Sequence, residues 1–438
     1  MQHRWRFATA ILLVMLVIAG TDVLAAELKK VVLWNTGEAY RNDGVLAALE
    51  PFLEANPDIE VEVSISSLYD PLIVAISGGV GPDIFIGASL TDVEYGINGV
   101  QVDLMPYLRR DGLLDDVRSD IFPGLLESSM WDGKLFGIPV DTQITMMFYN
   151  MNLLQSRGVA EPSEGWLWPD LYAQLPKLRT YREGEIELDA LLANNAAPNA
   201  KFFMRIMGGY LWDPDTLYPM GRSEAFRRTF DTLWELTQQR FLRVGEVHLS
   251  AGNAVEQYVS GRAAYFTSGN FRLPTIEQDP NARDFTRAAP MLRWSTDVMP
   301  SLDGSHRSFA LAKPASGQIS DEVWQVFKHL ISATGMARYS AATGLLPTRR
   351  SVLAEPVFRS FLRTTSPAYQ YIAHSLIQYA YGPGAFGIPA NRVVYSTIFT
   401  SLVKSFLSGD IALSAFIEEY DRKADVHLSQ ARAIRAGR

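Results

Sequence analysis

The chain contains no cysteine. That absence excludes disulfide scaffolds, thiolate zinc sites, thiol nucleophiles and iron–sulfur clusters together. It also excludes an N-terminus anchored to lipid through a cysteine. Histidine is scarce. His3, His248, His306, His329, His374 and His427 are far apart, and no two have the close spacing of a zinc-binding pair. No Gly-x-Ser-x-Gly elbow occurs. Gly78-Gly79-Val80-Gly81 precedes a strand-like segment instead of following one, so it is not a dinucleotide loop. Gly133-Lys134 is followed by Leu135, and Ser128 stands where a phosphate loop needs glycine. There is no repeat with a period of about 20–50 residues and no low-complexity linker. Aspartate and glutamate are plentiful, yet spacing marks no pair of them as glycosidase carboxylates. Nothing in the sequence asks for a cofactor or a metal.

An excess of basic residues is also missing. The 438 residues hold 40 Lys and Arg against 48 Asp and Glu, a formal net charge of −8. Proteins built to neutralise phosphates carry Lys/Arg-rich faces, so nucleic acid is not the expected partner. Long hydrophobic runs are absent beyond the start of the chain. There, Arg4 and Arg6 precede an uncharged stretch from Ala8 to Gly20, and Val23 and Ala25 give small residues at a cleavage site. Residues 1–25 therefore read as an export signal, too short and too interrupted by Asp22 to span a bilayer. Without them the net charge is −9. An exported, acidic protein free of cysteine points to the periplasm. At 47% hydrophobic, a chain of this length has material for at least two cores.

The opening of the chain alternates in type. Val31–Trp34 is a short apolar run ending in a turn signal at Asn35-Thr36-Gly37, which predicts a buried strand. Asp43 is the expected N-cap of a helix whose apolar face carries Val45, Leu46, Leu49, Phe52 and Leu53. Ile59, Val61, Val63 and Ile65 alternate with polar residues as a strand does. Residues 70–77 look helical, and 83–87 form another buried strand. Strand–helix–strand–helix–strand implies a parallel sheet, with the ligand crevice outside its carboxyl ends. Candidate site segments are then Trp34–Glu38, Ser66–Tyr69 and Ala88–Leu90. Further on, 135–140 and 144–149 read as extended, 166 to about 259 as mostly helical, and Ala263–Thr267 and Ser308–Ala312 as short strands. Val323, Trp324, Phe327, Leu330 and Ile331 make an amphipathic helical face, and two helices close the chain.

Aromatics supply the positive signal: 9 Trp, 18 Tyr and 22 Phe. Trp34, Tyr69, Phe271 and Tyr395 each fall at or near an expected turn or helix start, where a side chain can face a crevice. Sugar rings have apolar C–H faces and rims of hydroxyls. They are held by aromatic faces together with Asp, Glu, Asn, Gln or Arg at the edge. Asn35, Glu38 and Ser89, in the strand-end segments, are the corresponding polar candidates, and Gln143 and Asn270 join them only through the family resemblance below.

Several motifs, in order, resemble extracellular solute-binding protein family 1, the sugar-binding proteins of ABC importers that include maltose-binding protein. They are Phe52-Leu53-Glu54-Ala55-Asn56-Pro57-Asp58-Ile59, Gly81-Pro82-Asp83-Ile84-Phe85, Val102-Asp103-Leu104 with Gly133-Lys134-Leu135-Phe136-Gly137-Ile138-Pro139, Tyr149-Asn150, Gly261-Arg262-Ala263-Ala264 before Ser268-Gly269-Asn270-Phe271, Gly344-Leu345-Leu346-Pro347-Thr348-Arg349, and Gly387-Ile388-Pro389. The resemblance covers nearly the whole mature chain. It implies an α/β, two-lobed periplasmic-binding-protein fold with a ligand cleft between the lobes. Residues 26–141 and 313–363 are expected in lobe I, and 142–308 and 367–438 in lobe II. The crossovers are expected near Thr142–Ile144, Phe309–Ala312 and Arg363–Ser366. By the same resemblance Phe271 and Tyr395 match sugar-stacking aromatics, Gln143 a polar contact in the first crossover, and Glu38 a contact after the first strand. Gly87, Ala88, Ser89 and Leu90 depart from the maltose binder's Trp and Asp, which removes one stacking platform. The implied function is capture of a small carbohydrate and its delivery to a membrane permease, without catalysis, by a monomer. Two other classes stay open: the same scaffold holding a polyol, glycerol phosphate, polyamine or peptide, with Arg272 and Arg307 as donors to a phosphate, and a secreted glycoside hydrolase.

Overall fold

A computed structural model describes residues 28–35, 39–66, 70–249, 251–298, 301, 304–376 and 387–437. The export signal, Glu38 and Tyr69 lie outside the described residues.

Strands β1 (Lys29–Asn35), β2 (Ile59–Ile65) and β3 (Ile84–Ala88) are parallel, in the order β2-β1-β3. The helices Tyr40–Ala55 and Asp70–Ser77 connect them. Alternation along β1 sends Val31 and Leu33 into the main core. Trp34 faces the other side of the sheet, in a smaller cluster with Leu72, Phe85, Tyr95 and Ala310. The first helix begins at Tyr40 rather than after Asp43. Ala39 stands at the N-cap without a side-chain bond, and Asp43 lies in the first turn, where a carboxylate suits the helix dipole.

The short hairpin β4 (Met130–Trp131) and β5 (Lys134–Leu135) leads into β6 (Ile138–Asn150), a single strand of 13 residues where the sequence suggested two. Nearly all of β6 is buried, because it serves two halves of the sheet in turn. Its first part pairs antiparallel with β12 (Gly304–Leu311), which also pairs with β3. Its second part pairs with β10 (Ala263–Gly269) and β11 (Thr286–Ala288). β10 runs parallel to β8 (Glu185–Ala193), flanked by β9 (Leu242–Val244) and by β7 (Thr180–Arg182). β13 (Leu346–Pro347) pairs with β6 at Thr142 and Asp141 and completes an 11-stranded mixed sheet.

The middle of the chain is thus not mostly helical. β7, β8 and β9 lie within it. The run Leu188–Ala193 is buried on both faces and carries no alternation to tell a strand from a buried helix. Helices cover the sheet on both sides. In the second half, Phe226 and Phe230 of the helix Glu224–Gln238 pack against Phe399, Phe416 and Tyr420 of the C-terminal helices. Arg392 reaches back to the first half and forms a two-pronged ion pair with Glu94, its Nη2 2.9 Å from Oε1 and its Nε 3.3 Å from Oε2. No helix of the described residues is long and apolar enough to cross a membrane.

Candidate functional site

The partner of β6 changes at one point. Gly304 of β12 pairs with Ile144, and Gly269 of β10 pairs with Thr145. β3 ends at Ala88, which is level with Arg307 and, through it, with Asp141. β10 ends level with Thr145. β3 runs toward the switch from one side and β10 from the other, so the carboxyl edges of the two half-sheets face each other. Only the stretch from Asp141 to Thr145 separates them, about 13 Å at ~3.3 Å per residue. Carboxyl edges are where open α/β sheets hold ligands. β1 is also where strand order reverses, with β2 on one side and β3 on the other.

The candidates distribute around this gap. Gln143 is on β6 inside it, half-buried, and accepts a hydrogen bond from Ser305 Oγ at 3.3 Å. Phe271 follows β10 in the turn Asn270–Arg272, also half-buried, with its ring folded against Gly269 and the Arg272 guanidinium 5.1 Å from its centroid. Tyr395 lies on a π-helical stretch, Arg392–Phe399. The ammonium of Lys201 sits 4.0 Å from its ring centroid, within cation–π range. Lys201 belongs to the helix Ala196–Ile206, which starts just past the carboxyl end of β8. Thr267 Oγ1 bonds Asn199 Oδ1 at 2.6 Å and ties that helix to β10. Lys201 thus joins Tyr395 to the helix that follows β8.

Four candidates are spent on the scaffold. Asn270 is buried. Its Oδ1 accepts from the Ile144 amide at 2.7 Å, and its Nδ2 donates to the Thr142 carbonyl at 2.8 Å. It clasps β6 at the switch point rather than reaching toward a guest. Asn35, buried at the end of β1, donates to Asn42 Oδ1 at 2.9 Å and anchors the first helix. Ser89 exchanges hydrogen bonds with the backbone of His306, its amide donating at 3.1 Å and its Oγ accepting at 3.2 Å. Trp34 packs against the smaller core cluster and is only partly exposed.

Two buried polar groupings were not foreseen. On one face of the first half-sheet, Asp141 Oδ2 accepts from Tyr339 Oη at 3.0 Å and lies 3.6 Å from Arg41 Nη2, with all three side chains sealed from solvent. Burial, reinforced by the Asp141 charge, pushes the Tyr339 hydroxyl well above the ordinary tyrosine range. On the other face, Asp92 accepts from Ser129 at 2.7 Å and from Ser308 at 2.8 Å, and His306 bridges Ser129 at 2.9 Å and Ser128 at 3.2 Å. The sequence carried no signal for either grouping, because apart from Asp92 and Ser129 the partners are a hundred or more residues apart. Nearer the gap, Thr142 Oγ1, Ser268 Oγ and Asn194 Oδ1 are buried without a protein partner. Among the described residues no group of three His, Asp or Glu could hold a metal.

Residues 47–360 match the family of bacterial extracellular solute-binding proteins, and the chain belongs to that family. A maltotriose-binding protein of Pyrococcus abyssi is 22% identical over 344 residues, 76% of this chain and 69% of the relative. Among solved structures, the sugar-binding protein MalE of Xanthomonas citri superposes with a TM-score of 0.76 at 21% identity, over 93% of this chain and 99% of that one. UgpB of Mycobacterium tuberculosis, solved in complex with glycerophosphocholine, has a TM-score of 0.73 at 16% identity, over 92% and 98%. These likenesses establish the fold as the two-lobed binding-protein architecture.

Proposed function

We propose that this chain is the substrate-binding component of an ABC importer, exported to the periplasm by a cleaved signal at residues 1–25, and that it captures a small carbohydrate between its lobes. The observation that carries the reading is the register on β6, which sets two carboxyl edges face to face across residues 141–145. Half-buried Gln143, Phe271 and Tyr395 stand around that gap. Ring faces supply stacking and Gln143 a hydroxyl partner. The maltotriose-binding relative supports a carbohydrate guest.

Lobe I then comprises residues 26–144 and about 304–363, and lobe II about 145–303 and 367–438. The pairing of β12 with β3 supports a second boundary at the start of β12, where the resemblance implied a crossover at Phe309–Ala312. Contacts with a guest from both lobes favour the closed form by the difference in its affinity for the two forms, and a permease would read that closure. Native mass spectrometry of the freshly purified protein should show a retained small molecule. A panel of mono- and oligosaccharides should raise the melting temperature for at least one member. A flat response across the panel would reject carbohydrate.

A further inference from the structure

We infer that the guest is an anionic carbohydrate, a sugar acid or sugar phosphate, held by Arg307 and Arg272; this rests on the carbohydrate reading above. Arg307 lies on β12 opposite Asp141, level with the carboxyl end of β3. Arg272 lies two residues past Asn270, whose carboxamide grips the other edge of β6 at Thr142 and Ile144. The two arginines thus flank the gap-spanning stretch of β6 from opposite edges. On that placement the two guanidinium groups are assigned to one anion lying over the gap.

Their state differs from that of the arginines held in close ion pairs. The Nε of each is buried and has no hydrogen-bond partner, and neither guanidinium forms an ion pair within the described residues. By contrast Arg243 grips Asp189, Arg349 grips Asp116 and Asp120, and Arg392 grips Glu94. A buried N–H without an acceptor costs free energy, and a guanidinium costs more than a neutral donor. In a chain with eight more acidic than basic residues, carboxylates are not in short supply. Two unpaired guanidinium groups at the mouth of both half-sheets fit a guest that brings its own negative charge. The planar fork suits a carboxylate or a phosphate alike. The Phe271 ring, 5.1 Å from the Arg272 guanidinium, helps hold that group in place.

The test is a thermal-shift and calorimetric panel in matched sets: glucose and galactose, glucuronate and galacturonate, glucose 1-phosphate and glucose 6-phosphate. At least one anionic member should bind ten-fold or more tightly than its neutral parent, with affinity falling as salt rises, and the two charged arms separate carboxylate from phosphate. Arg307→Gln and Arg272→Gln should each weaken that binding about ten-fold. Without ligand, both variants should melt no lower than the parent, because neither removes a protein–protein hydrogen bond. Neutral sugars binding as well as their charged counterparts, or Arg307→Gln binding the anion unchanged, would overturn the inference and leave the carbohydrate reading intact. Silence from all six sugars in the presence of a retained non-sugar ligand would overturn both.

Discussion

At the scale of single residues, buried polar groups matter more to this protein than aromatic ones. Asp92 is sealed from solvent and stands at the centre of Ser129, Ser308 and His306. Ser128 also donates to the Leu125 carbonyl at 2.7 Å, so the network ties the segment before β4 to the crossing strand β12. Asp92→Ala leaves the Ser129 and Ser308 hydroxyls buried without their acceptor. It should cost about 3–5 kcal/mol, the range for breaking a buried charged network, read by urea unfolding. Asn270→Ala removes two hydrogen bonds to β6 and should cost about 2–3 kcal/mol in the same assay, since both backbone groups lose a buried partner. A loss under about 0.5 kcal/mol would return Asn270 to the list of ligand contacts. Asn270 also shows how a site residue can be found by position and misread by role. Its place beside Phe271 at the end of a strand was legible. Its bond to a strand more than a hundred residues earlier was not.

At the scale of elements, local chemistry told more where one face of a segment is wet. β2 alternates and was legible, as was the helix Asp321–Leu330 with its stripe of Val323, Trp324 and Phe327. β8 and β6 are buried on both faces, so their apolar runs have no period to read, and one was absorbed into a helical stretch while the other was split. The family motifs still marked where core strands begin along the chain, because Gly-Pro-Asp and Gly-Lys-x-x-Gly mark turns rather than faces. Gly304 belongs to this scale. A Cβ there would collide with the Gln143 carbonyl and sit 3.0 Å from Ile144 Cα, both backbone and unable to yield. Gly304→Ala should therefore shift β12 at the crossing, cost about 1–3 kcal/mol, and weaken ligand binding along with stability, measured by parallel melting and calorimetry. The pH response is local too. Asp111 accepts from Arg110 Nε at 2.7 Å, Trp324 Nε1 at 2.7 Å and Lys328 Nζ at 2.9 Å, joining the end of the helix Met105–Arg110 to the helix Asp321–Leu330. Arg110, Trp324 and Lys328 hold its carboxyl well below the ordinary range. A group depressed in the fold adds stability above its unfolded value and loses it as pH falls through the folded one. Asp111→Asn should thus melt lower than the parent at neutral pH, and the gap should narrow below about pH 4. A gap independent of pH would remove the ion pairs from the explanation.

At the scale of the whole molecule, two half-sheets share one long strand, β6, and little else in the sheet of the described residues joins them. The C-terminal segment adds the Arg392–Glu94 pair and the close approach of Gly387 to the backbone of Glu127 and Met130. A few crossing segments and a modest contact permit one half to turn against the other. A guest touching both halves should then act as a clamp. At one hundred times its dissociation constant it stabilises the native state by about 2.7 kcal/mol. For a chain of this size, at about 2.1 cal/mol/K per residue, that is a rise in melting temperature of about 3 °C. The same saturation should reduce the radius of gyration in small-angle scattering, because closure brings the lobes together. Gln143→Ala separates the two effects. Gln143 takes a single weak hydrogen bond from Ser305, so its loss should leave the unliganded stability within about 1 kcal/mol of the parent. Affinity should fall about ten-fold, and the compaction should persist at correspondingly higher ligand concentration. A ligand that binds tightly with no change in radius would mean that a single half holds the guest, and closure would then have no part in its capture.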